Sequence, residues 1–450
     1  MNKGPAKLKL QKLIISIRSS LWFLPALAVL AFVALALGLV EADQHFGKDL
    51  HQWWPRLFST EAEGARSMLS AIAASLATIT GVAFSITIVA LVLASTQYTS
   101  RVLRTFMRDR ATQLVLGVFV GVYIYCLLVL RTLSGGNGEF VPPLSVLGGL
   151  VLAIVAVGFF IFFIHHISSS IQASEIAAAI TRETLKIVDH FFPEQCTAKE
   201  DEIVPAVVAQ HDWHPVPARA MGYIQTVDIE SLSALAKRHG VIIRMECGVG
   251  DFVAPHLPML SFAGPESFRE AAVHARDSLY AVDSYRTIEQ DPAFGIRQLV
   301  DIALKALSPG INDTTTAVTC IEHLSVILTR VAQRHMPSPL HYVQGELRLI
   351  TKGPCFDQLV ALSFNQILEN AVGNTEIAVR LINAVAQIAV VTSLKQRKAV
   401  LRQWIGTIEE VALRSTKSTY AVDQIREQIG QARAAIEAGT GRTRDASCSA

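Results

Sequence analysis

The sequence predicts a membrane α-helical protein, in which four transmembrane helices precede a cytoplasmic α+β domain with a small β module and a helical C-terminal part. Hydrophobic residues make up 51% of the 450 positions and charged residues only 17%, a composition too apolar for an ordinary soluble protein. Four uncharged stretches, each near or above the roughly 20 residues that cross a bilayer as a helix, lie within residues 19–173. These observations predict a transmembrane domain over that range.

The positions of the four spans follow from the charged residues that interrupt the apolar stretches. We expect the spans at about residues 19–40, 67–96, 111–131 and 143–165. Five cations lie in a basic N-terminal segment of residues 1–18, and four arginines follow the second span. Because Lys and Arg beside spans stay in the cytoplasm, both termini are predicted to be cytoplasmic, with the protein in the bacterial inner (plasma) membrane.

Changes in composition divide the rest of the chain into four parts. We expect a connecting helix and linker over 174–217, a small β-rich module over 218–265, a mainly helical cytoplasmic domain over 266–438 and a disordered tail over 439–450. Alternating apolar residues predict strands at 222–227, 241–246 and 259–262. Past Pro337 and Pro339 the pattern predicts helices again, including an apolar stripe within 422–436.

The second span carries small and hydroxyl-bearing residues on one face. At about 100° per residue, one arc holds Ser67, Ser70, Ala74, Thr78, Gly81, Ser85 and Thr96. Two interpretations stay open for this face: close packing against other helices, which we favour because small residues let backbones approach, and the lining of a pore. Gly117 and Gly121 in the third span also form a packing pattern.

Several classes of function are disfavoured by the sequence. Between their flanking charges the spans contain no Asp, Glu, Lys or Arg, whereas proton relays, ion-coupled carriers and voltage sensors usually need such groups. The formal net charge of +2, without basic stretches interleaved with aromatics, argues against nucleic-acid binding. The six cysteines form no Cys-x-x-Cys pair, and His211, Asp212 and His214 match no established metal-site spacing. We therefore predict no metal, no cofactor and no catalytic residues, and expect that the protein is not an enzyme.

The richest polar segment, residues 285–316, contains a candidate cluster. Its members are Arg286, Arg297, Asp301, Asn312 and Asp313. A helix predicted over 294–307 places Arg297 and Asp301 on one face, and Asn312 or Asp313 caps the next helix. That helix start and the two arginines are compatible with an anion-binding pocket, but we favour capping and structural ion pairs.

Three phrases of the sequence resemble one bacterial membrane-protein family. They are ALVLASTQYTSRVLRTFMRDRATQ (90–113), GDFVAPHLPML (250–260) and QDPAFGIRQLVDIALKALSPGINDTTTA (290–317). The family is domain of unknown function 2254, and the resemblance extends from the first span to about Leu413. It implies membrane spans followed by a cytoplasmic domain and supplies no catalytic residues. The sequence departs from the family pattern at Ser100 and Thr314, where proline is frequent, and at His256, where glycine is frequent.

Two functional hypotheses follow. The first is an oligomeric channel or permeation protein, in which the long second helix borders the axis and the cytoplasmic domain acts as a gate. The second is a membrane-anchored sensory or scaffold protein whose cytoplasmic domain binds a ligand or partner. In both, the protein contacts the lipid bilayer and a homo-oligomer is expected.

Overall fold

The computed structural model describes residues 22–53, 62–97, 109–133, 141–194, 211–392 and 394–438. The described residues up to Glu175 form one compact unit, here called the four-helix unit. Those from Ile176 onward form a second, here called the C-terminal unit. The predictions for residues 1–18, for Ser100 and for the tail 439–450 lie outside the described residues.

The four-helix unit consists of the apolar helices that the sequence predicts. They are α1 (Phe23–Trp53), α2 (Ala62–Gln97), α3 (Arg110–Leu133) and α4 (Pro143–Ser170). All four are long and apolar enough to cross a membrane. The helix α2 has 36 residues and is therefore about 54 Å long at 1.5 Å per residue. It exceeds the predicted span because backbone hydrogen bonding continues through polar residues at both ends.

The helix α3 lies at the centre of this unit, and the other three pack against it. Its Phe119 and Tyr125 side chains are fully buried. A β-carbon on Gly117 would lie 2.9 Å from the Ala28 Cβ of α1, and one on Gly121 would overlap the Phe32 ring. The two glycines therefore serve a close approach between α1 and α3 within a single chain.

The C-terminal unit contains nine described helices and eight strands. After α5 (Ala173–Phe191), which begins just before the unit, the helices are α6 (Ile229–His239), α7 (Arg269–Leu279), α8 (Pro292–Ala306), α9 (Thr314–Gln333), α10 (Phe356–Asn370), α11 (Thr375–Val391), α12 (Lys395–Ser415) and α13 (Thr419–Ala438). A short 3-10 helix covers Glu266–Phe268. The strands are β1 (His214–Pro217), β2 (Gly222–Val227), β3 (Ile242–Met245), β4 (Phe252–Val253), β5 (Pro258–Ala263), β6 (Tyr280–Asp283), β7 (Leu340–Val343) and β8 (Glu346–Ile350).

The strands form two small sheets. One has the order β1-β5-β3-β8-β7, and the other has the order β4-β2-β6. Every neighbouring pair is antiparallel except β3 and β8, which run parallel, with Ile243 opposite Leu349. Most of the core of this region consists of aliphatic and aromatic side chains from both sheets and from α6 and α7.

The hairpin β7–β8 corrects the expectation of helices after Pro339. Its turn residues Gln344 and Gly345 both have positive φ, 56° and 84°, as a tight two-residue hairpin turn requires. The strand β8 is stabilised by β3, about a hundred residues earlier in the chain. The β module is therefore larger than residues 218–265, because it also includes β1, β6 and this hairpin.

Helices make up the rest of the C-terminal unit. The apolar stripe predicted on the last helix is confirmed, since Ile425, Ile429, Ala432 and Ile436 are all at most 2% exposed. These residues pack α13 against α11 and α12.

His256, at a position where glycine is frequent in the family that the sequence resembles, has a φ of 74°. This left-handed turn is one that glycine adopts without strain and histidine only occasionally.

Candidate functional site

The small-residue arc of α2 points away from the other helices of the four-helix unit. Its six members with described side chains are all exposed and are here called the outward face. They are Ser67, Ser70, Ala74, Thr78, Gly81 and Ser85. The buried side of α2 consists of Ala65, Leu69, Ala73, Leu76, Ala83 and Ala90. At about 100° per residue, the centres of these two arcs lie about 160° apart. Thr96 also belongs to α2, but its side chain lies outside the described residues.

The hydroxyl groups of the outward face have few partners within the chain. The Thr78 hydroxyl donates to the Ala74 carbonyl at 3.1 Å, one turn earlier. Ser70 and Ser85 make no side-chain hydrogen bond to any described residue. A β-carbon on Gly81 would meet nothing within 4 Å. This face is thus open in a single chain, and the intramolecular contacts of α2 are made by its opposite side.

Asp43 of α1 binds the start of α4, a role that the sequence pattern did not indicate. It is 2% exposed and accepts hydrogen bonds from the Leu144 and Ser145 amides, both at 2.8 Å. The Ser145 hydroxyl donates to it at 2.7 Å, and the Tyr125 hydroxyl of α3 donates to the Ser145 carbonyl at 2.7 Å. The N-cap position of α4 is a proline without a capping side chain, which is the one sequence signal that a cap must come from elsewhere.

A second polar cluster joins the start of α3 to the end of α4. The Asp109 Oδ2 atom lies 2.6 Å from His166 Nε2 and accepts the Thr112 hydroxyl at 2.6 Å. Burial alone would raise the pKa of Asp109, but hydrogen bonds from Thr112 and His166 outweigh burial and lower this pKa. The Phe162 ring stacks on His166 with 5.5 Å between centroids. The aspartate is therefore a fixed anion that links the two helix ends.

The five residues of the predicted polar cluster divide among three places in the C-terminal unit. Arg286 donates to the Asp291 Oδ2 atom at 2.6 Å, and Asp291 caps α8 by accepting the Phe294 amide at 3.1 Å. Further along α8, Arg297 Nε lies 2.9 Å from Asp301 Oδ1. Ten residues of helix, or about 15 Å, separate the two aspartates.

The third place is the start of α9. Asp313 accepts the Thr316 amide at 3.0 Å and the Thr316 hydroxyl at 2.5 Å. These hydrogen bonds, the hydroxyl first, lower the pKa of Asp313. Asn312 has a φ of 50°, so it forms the left-handed turn before the cap and is not the cap itself. The cluster as a whole does not form one pocket.

Two of the phrases quoted above meet at the Gly250–Asp291 junction. A β-carbon on Gly250, which has a φ of 86°, would overlap the Asp291 Oδ2 atom and lie 2.7 Å from Arg286 Nη2. Burial raises the pKa of Asp291, and the Arg286 guanidinium opposes that rise. The neighbouring Asp251 accepts Lys352 Nζ at 2.9 Å. The junction is a closely packed set of ion pairs that fixes a β-module loop to the start of α8.

The helix α5 crosses α8 and α9 inside the C-terminal unit. A β-carbon on Gly295 of α8 would overlap the Thr184 hydroxyl of α5. The Thr181 hydroxyl lies 3.0 Å from His323 Nδ1 of α9, and Asp189 accepts Arg330 Nε at 2.6 Å. Only residues 171–172 separate the end of α4 from the start of α5. The chain therefore leaves the last apolar helix directly into a helix fixed to α8 and α9.

The described residues contain no group of three or more His, Cys, Asp or Glu side chains that could hold a metal ion. Among His211, Asp212 and His214, whose spacing matches no established metal site, His214 Nδ1 lies 3.2 Å from Glu266 Oε2. That contact joins β1 to the short 3-10 helix and is a structural interaction.

Four apolar helices long enough to cross a membrane, followed by a separate unit of helices and two small sheets, define the class of predicted membrane proteins with a large additional domain. Within this class, residues 18–387 match the family described as "Predicted membrane protein (DUF2254)". The chain belongs to this family, and the resemblance noted in the sequence is confirmed.

Two mycobacterial proteins are similar to this chain over most of their length. They are "Uncharacterized protein Mb1321c" of Mycobacterium bovis and "Uncharacterized protein Rv1290c" of Mycobacterium tuberculosis. Each is 32% identical over 381 residues, which cover 80% of this chain and 70% of the relative. No solved structure matches the chain.

Proposed function

We propose that this protein is an oligomeric permeation protein of the bacterial inner membrane, with the outward faces of α2 from several copies bordering the path. The observation that carries this proposal is the two-sided character of α2. One side packs within the chain, and the opposite side presents hydroxyl groups and glycine from Ser67 to Ser85, followed on the same side by the exposed Ile88 and Val92.

Lipid hydrocarbon offers no hydrogen-bond partner to a serine hydroxyl, so a hydroxyl-bearing face is better satisfied by another helix or by water. Gly81 and Ala74 allow a second backbone to approach closely, as small residues do at helix interfaces in membranes. A second copy of this chain offers the same surface, so a symmetric assembly is the simplest cover.

The interior of a single four-helix unit is an unsuitable route for solute. The centre is filled by Phe119, Tyr125 and Phe163, none of which is exposed, and protein cores of this kind are packed as densely as organic crystals. A path between copies needs no such space. The proposal therefore places permeation at the interface of copies and assigns the chain no chemical reaction.

The gate in this proposal is the C-terminal unit, on the cytoplasmic side together with both termini. Support comes from α5, which is joined to α4 through residues 171–172 and fixed to α8 at Gly295. A displacement of α8 or α9 would carry α5 with it, because α5 is fixed to both helices inside the C-terminal unit.

A second candidate, a membrane-anchored sensory or scaffold protein, is favoured by a different observation. The four-helix unit has its own core around α3 and needs no further copy to bury it. In that case the outward face serves only to pack against helices, and the C-terminal unit binds a ligand or partner.

Single introduced cysteines on α2 distinguish these functions. The starting protein for these variants is one in which Cys196, Cys247, Cys355 and Cys448 are replaced and the buried Cys126 and Cys320 are kept. Into it we would introduce Ser70→Cys, Thr78→Cys and Ser85→Cys, with Val89→Cys as the matched control. Val89 is 57% exposed and lies at the edge of the arc. Each protein in liposomes is treated with a membrane-impermeant thiol reagent and, separately, with a short crosslinker.

Permeation predicts fast reaction with the impermeant reagent at the three outward positions and slow reaction at Val89→Cys. Crosslinked dimers without reagent access support the sensory or scaffold candidate, in which the face only packs. If none of the three cysteines reacts with the reagent or crosslinks, the face meets lipid, and the permeation proposal fails.

A further inference from the structure

The first turn of α12 holds a buried lysine without an acidic partner. The Lys398 side chain is 2% exposed, and its Nζ atom has no hydrogen-bond acceptor among the residues that the structure describes. The charged group that acts on it is Arg402, another cation, and burial together with Arg402 lowers the pKa of Lys398. A buried cation is normally paired, because its lost hydration is otherwise uncompensated.

The same turn is an uncapped helix start. Leu394, at the N-cap position, makes no side-chain capping bond, and the first turn contains no acidic residue. The first amide N–H groups of a helix lack intrahelical acceptors and carry a positive partial charge. The Cα–Cβ bonds of a helix tilt towards its N-terminus, which favours a Lys398 side chain that lies over this turn.

Residues close to this helix start along the chain also donate hydrogen bonds or carry positive charge. The Thr392 hydroxyl, at the end of α11, is 2% exposed and likewise has no partner among the described residues. Lys395 and Arg402 are exposed and lie three residues before and four after Lys398, so they share its face of the helix. Lys398 therefore lies just beneath the surface, with a cation on either side.

Arg397 shows what a structural cation in the same turn does. Its Nη1 atom donates to the carbonyl oxygens of Val331, Ala332 and Arg334 at 2.9–3.1 Å, and its guanidinium lies 4.9 Å from the Phe356 ring centre. Arg397 thus supplies hydrogen-bond donors to the carbonyl oxygens at the end of α9. Lys398 has no comparable set of acceptors, and like charges three and four residues apart on a helix repel each other.

We infer that the start of α12 is a binding site for an oxyanion of the phosphate class, held by the Lys398 ammonium, the Thr392 hydroxyl and the first amides of the helix. Phosphate oxygens accept several hydrogen bonds at once and favour a helix N-terminus. Lys395 and Arg402 add positive charge at the entrance. The phosphate belongs either to a soluble ion or metabolite or to the head group of an anionic lipid. This site stands independently of the permeation proposal.

The test uses the full-length protein in uncharged detergent, with inorganic phosphate as the probe and chloride at equal ionic strength as the reference. Phosphate is expected to raise the unfolding temperature in a saturable manner, since a ligand that binds the folded state stabilises it. Lys398→Met removes the ammonium and keeps much of the side-chain volume. It should weaken phosphate binding at least tenfold, while the unfolding temperature without phosphate stays equal or rises, because an unpaired buried charge is lost.

Lys417→Met is the matched control, since Lys417 is exposed just beyond the other end of α12. It should leave the phosphate response unchanged. The lipid source is tested in nanodiscs of phosphatidylcholine alone and of phosphatidylcholine with phosphatidic acid, both free of inorganic phosphate. A higher unfolding temperature with phosphatidic acid, abolished by Lys398→Met, identifies a lipid head group as the ligand.

Stabilisation by inorganic phosphate in detergent without a difference between the nanodiscs identifies a soluble ligand. The inference is overturned when neither form of phosphate stabilises the protein. It is also overturned when Lys398→Met keeps the full response, or when Lys417→Met loses it equally. A Lys398→Met protein that is less stable without phosphate contradicts it as well, because the lysine then has a structural role.

Discussion

The hydroxyl of Thr184 occupies the space that a side chain on Gly295 would need. The helices α5 and α8 are therefore in direct contact at this crossing, with no room for a methyl group. Gly295→Ala should destabilise the protein by about 1–3 kcal/mol, the usual cost of overpacking. Thr184→Ala in the same chain should recover part of this loss, whereas Thr184→Ser, which keeps the hydroxyl, should not.

Thermal unfolding in detergent measures these effects, and Gly406→Ala is the control. Gly406 also lies in a helix, but a β-carbon there would meet nothing within 4 Å. That change should be neutral or stabilising by up to about 1 kcal/mol, from helix propensity. Equal effects of the two glycine substitutions would show that α5 and α8 are not in contact at Gly295.

Asp43 holds the start of α4 from a different helix, and its removal should destabilise the four-helix unit. Asp43→Ala leaves the Leu144 and Ser145 amides without their acceptor, which costs about 1–3 kcal/mol for buried groups. Glu41→Gln, at an exposed position on the same helix, is the control and should change little. A thermal unfolding temperature unaffected by Asp43→Ala would contradict the capping role.

Three glycines separate contacts within the chain from contacts between copies. Gly121→Leu should prevent folding of the four-helix unit, because a side chain there overlaps Phe32. Gly158→Leu, with open space around it in α4, should be silent. Gly81→Leu should leave the single chain folded and reduce the oligomer, as measured by light scattering in detergent.

Under the permeation proposal, Gly81 lies at the interface of copies while Gly158 faces lipid. If Gly81→Leu leaves both the mass of the particle and the folding unchanged, the outward face of α2 does not take part in assembly.

Asp313 should make the stability of the C-terminal unit depend on pH. Its folded-state pKa lies below the ordinary value of 3.8, chiefly because of the Thr316 hydroxyl and amide. The stability contributed by this aspartate is therefore present above the unfolded pKa and is lost as the pH falls through the folded pKa. The difference in unfolding temperature between wild type and Asp313→Asn should be constant above about pH 5 and shrink below about pH 4.

Asn374 is the control for this pH dependence. It caps α11 with an amide, accepting the Ile377 N–H at 3.2 Å, and does not titrate. Asn374→Ala should cost about 0.5–2 kcal/mol, as other cap losses do, to the same extent at every pH. A pH-independent difference for Asp313→Asn would mean that its charge does not contribute to the cap.

The Gly250–Asp291 junction should tolerate no side chain. Gly250→Ala adds a β-carbon that overlaps Asp291 and places alanine at a φ of 86°, a conformation that costs about 1 kcal/mol or more for a residue other than glycine. Gly353→Ala, at a position with open space, is the control. Limited proteolysis of the folded protein should detect release of the 248–251 loop only for Gly250→Ala, and equal protection of both variants would argue against a close junction.

Local patterns in the sequence determined several elements directly. The strand predicted at 222–227 coincides with β2, and the four apolar helices follow from length and composition. Asp313 is recognisable in the sequence as a possible cap because a cap acts on the amide three residues later. In each case the interacting groups lie within one helix or one turn, so spacing along the chain is sufficient.

Tertiary structure decided the contacts that join distant positions. Asp43 meets Ser145 about a hundred residues later, and β8 becomes a strand beside β3. Lys398 looks like a surface charge in the sequence, and only the packing of α12 buries it. The helix α2 shows the reason most clearly. Four of its six buried positions are alanine, so small residues lie on both of its sides. The partners on α3 and α4 determine which side is covered.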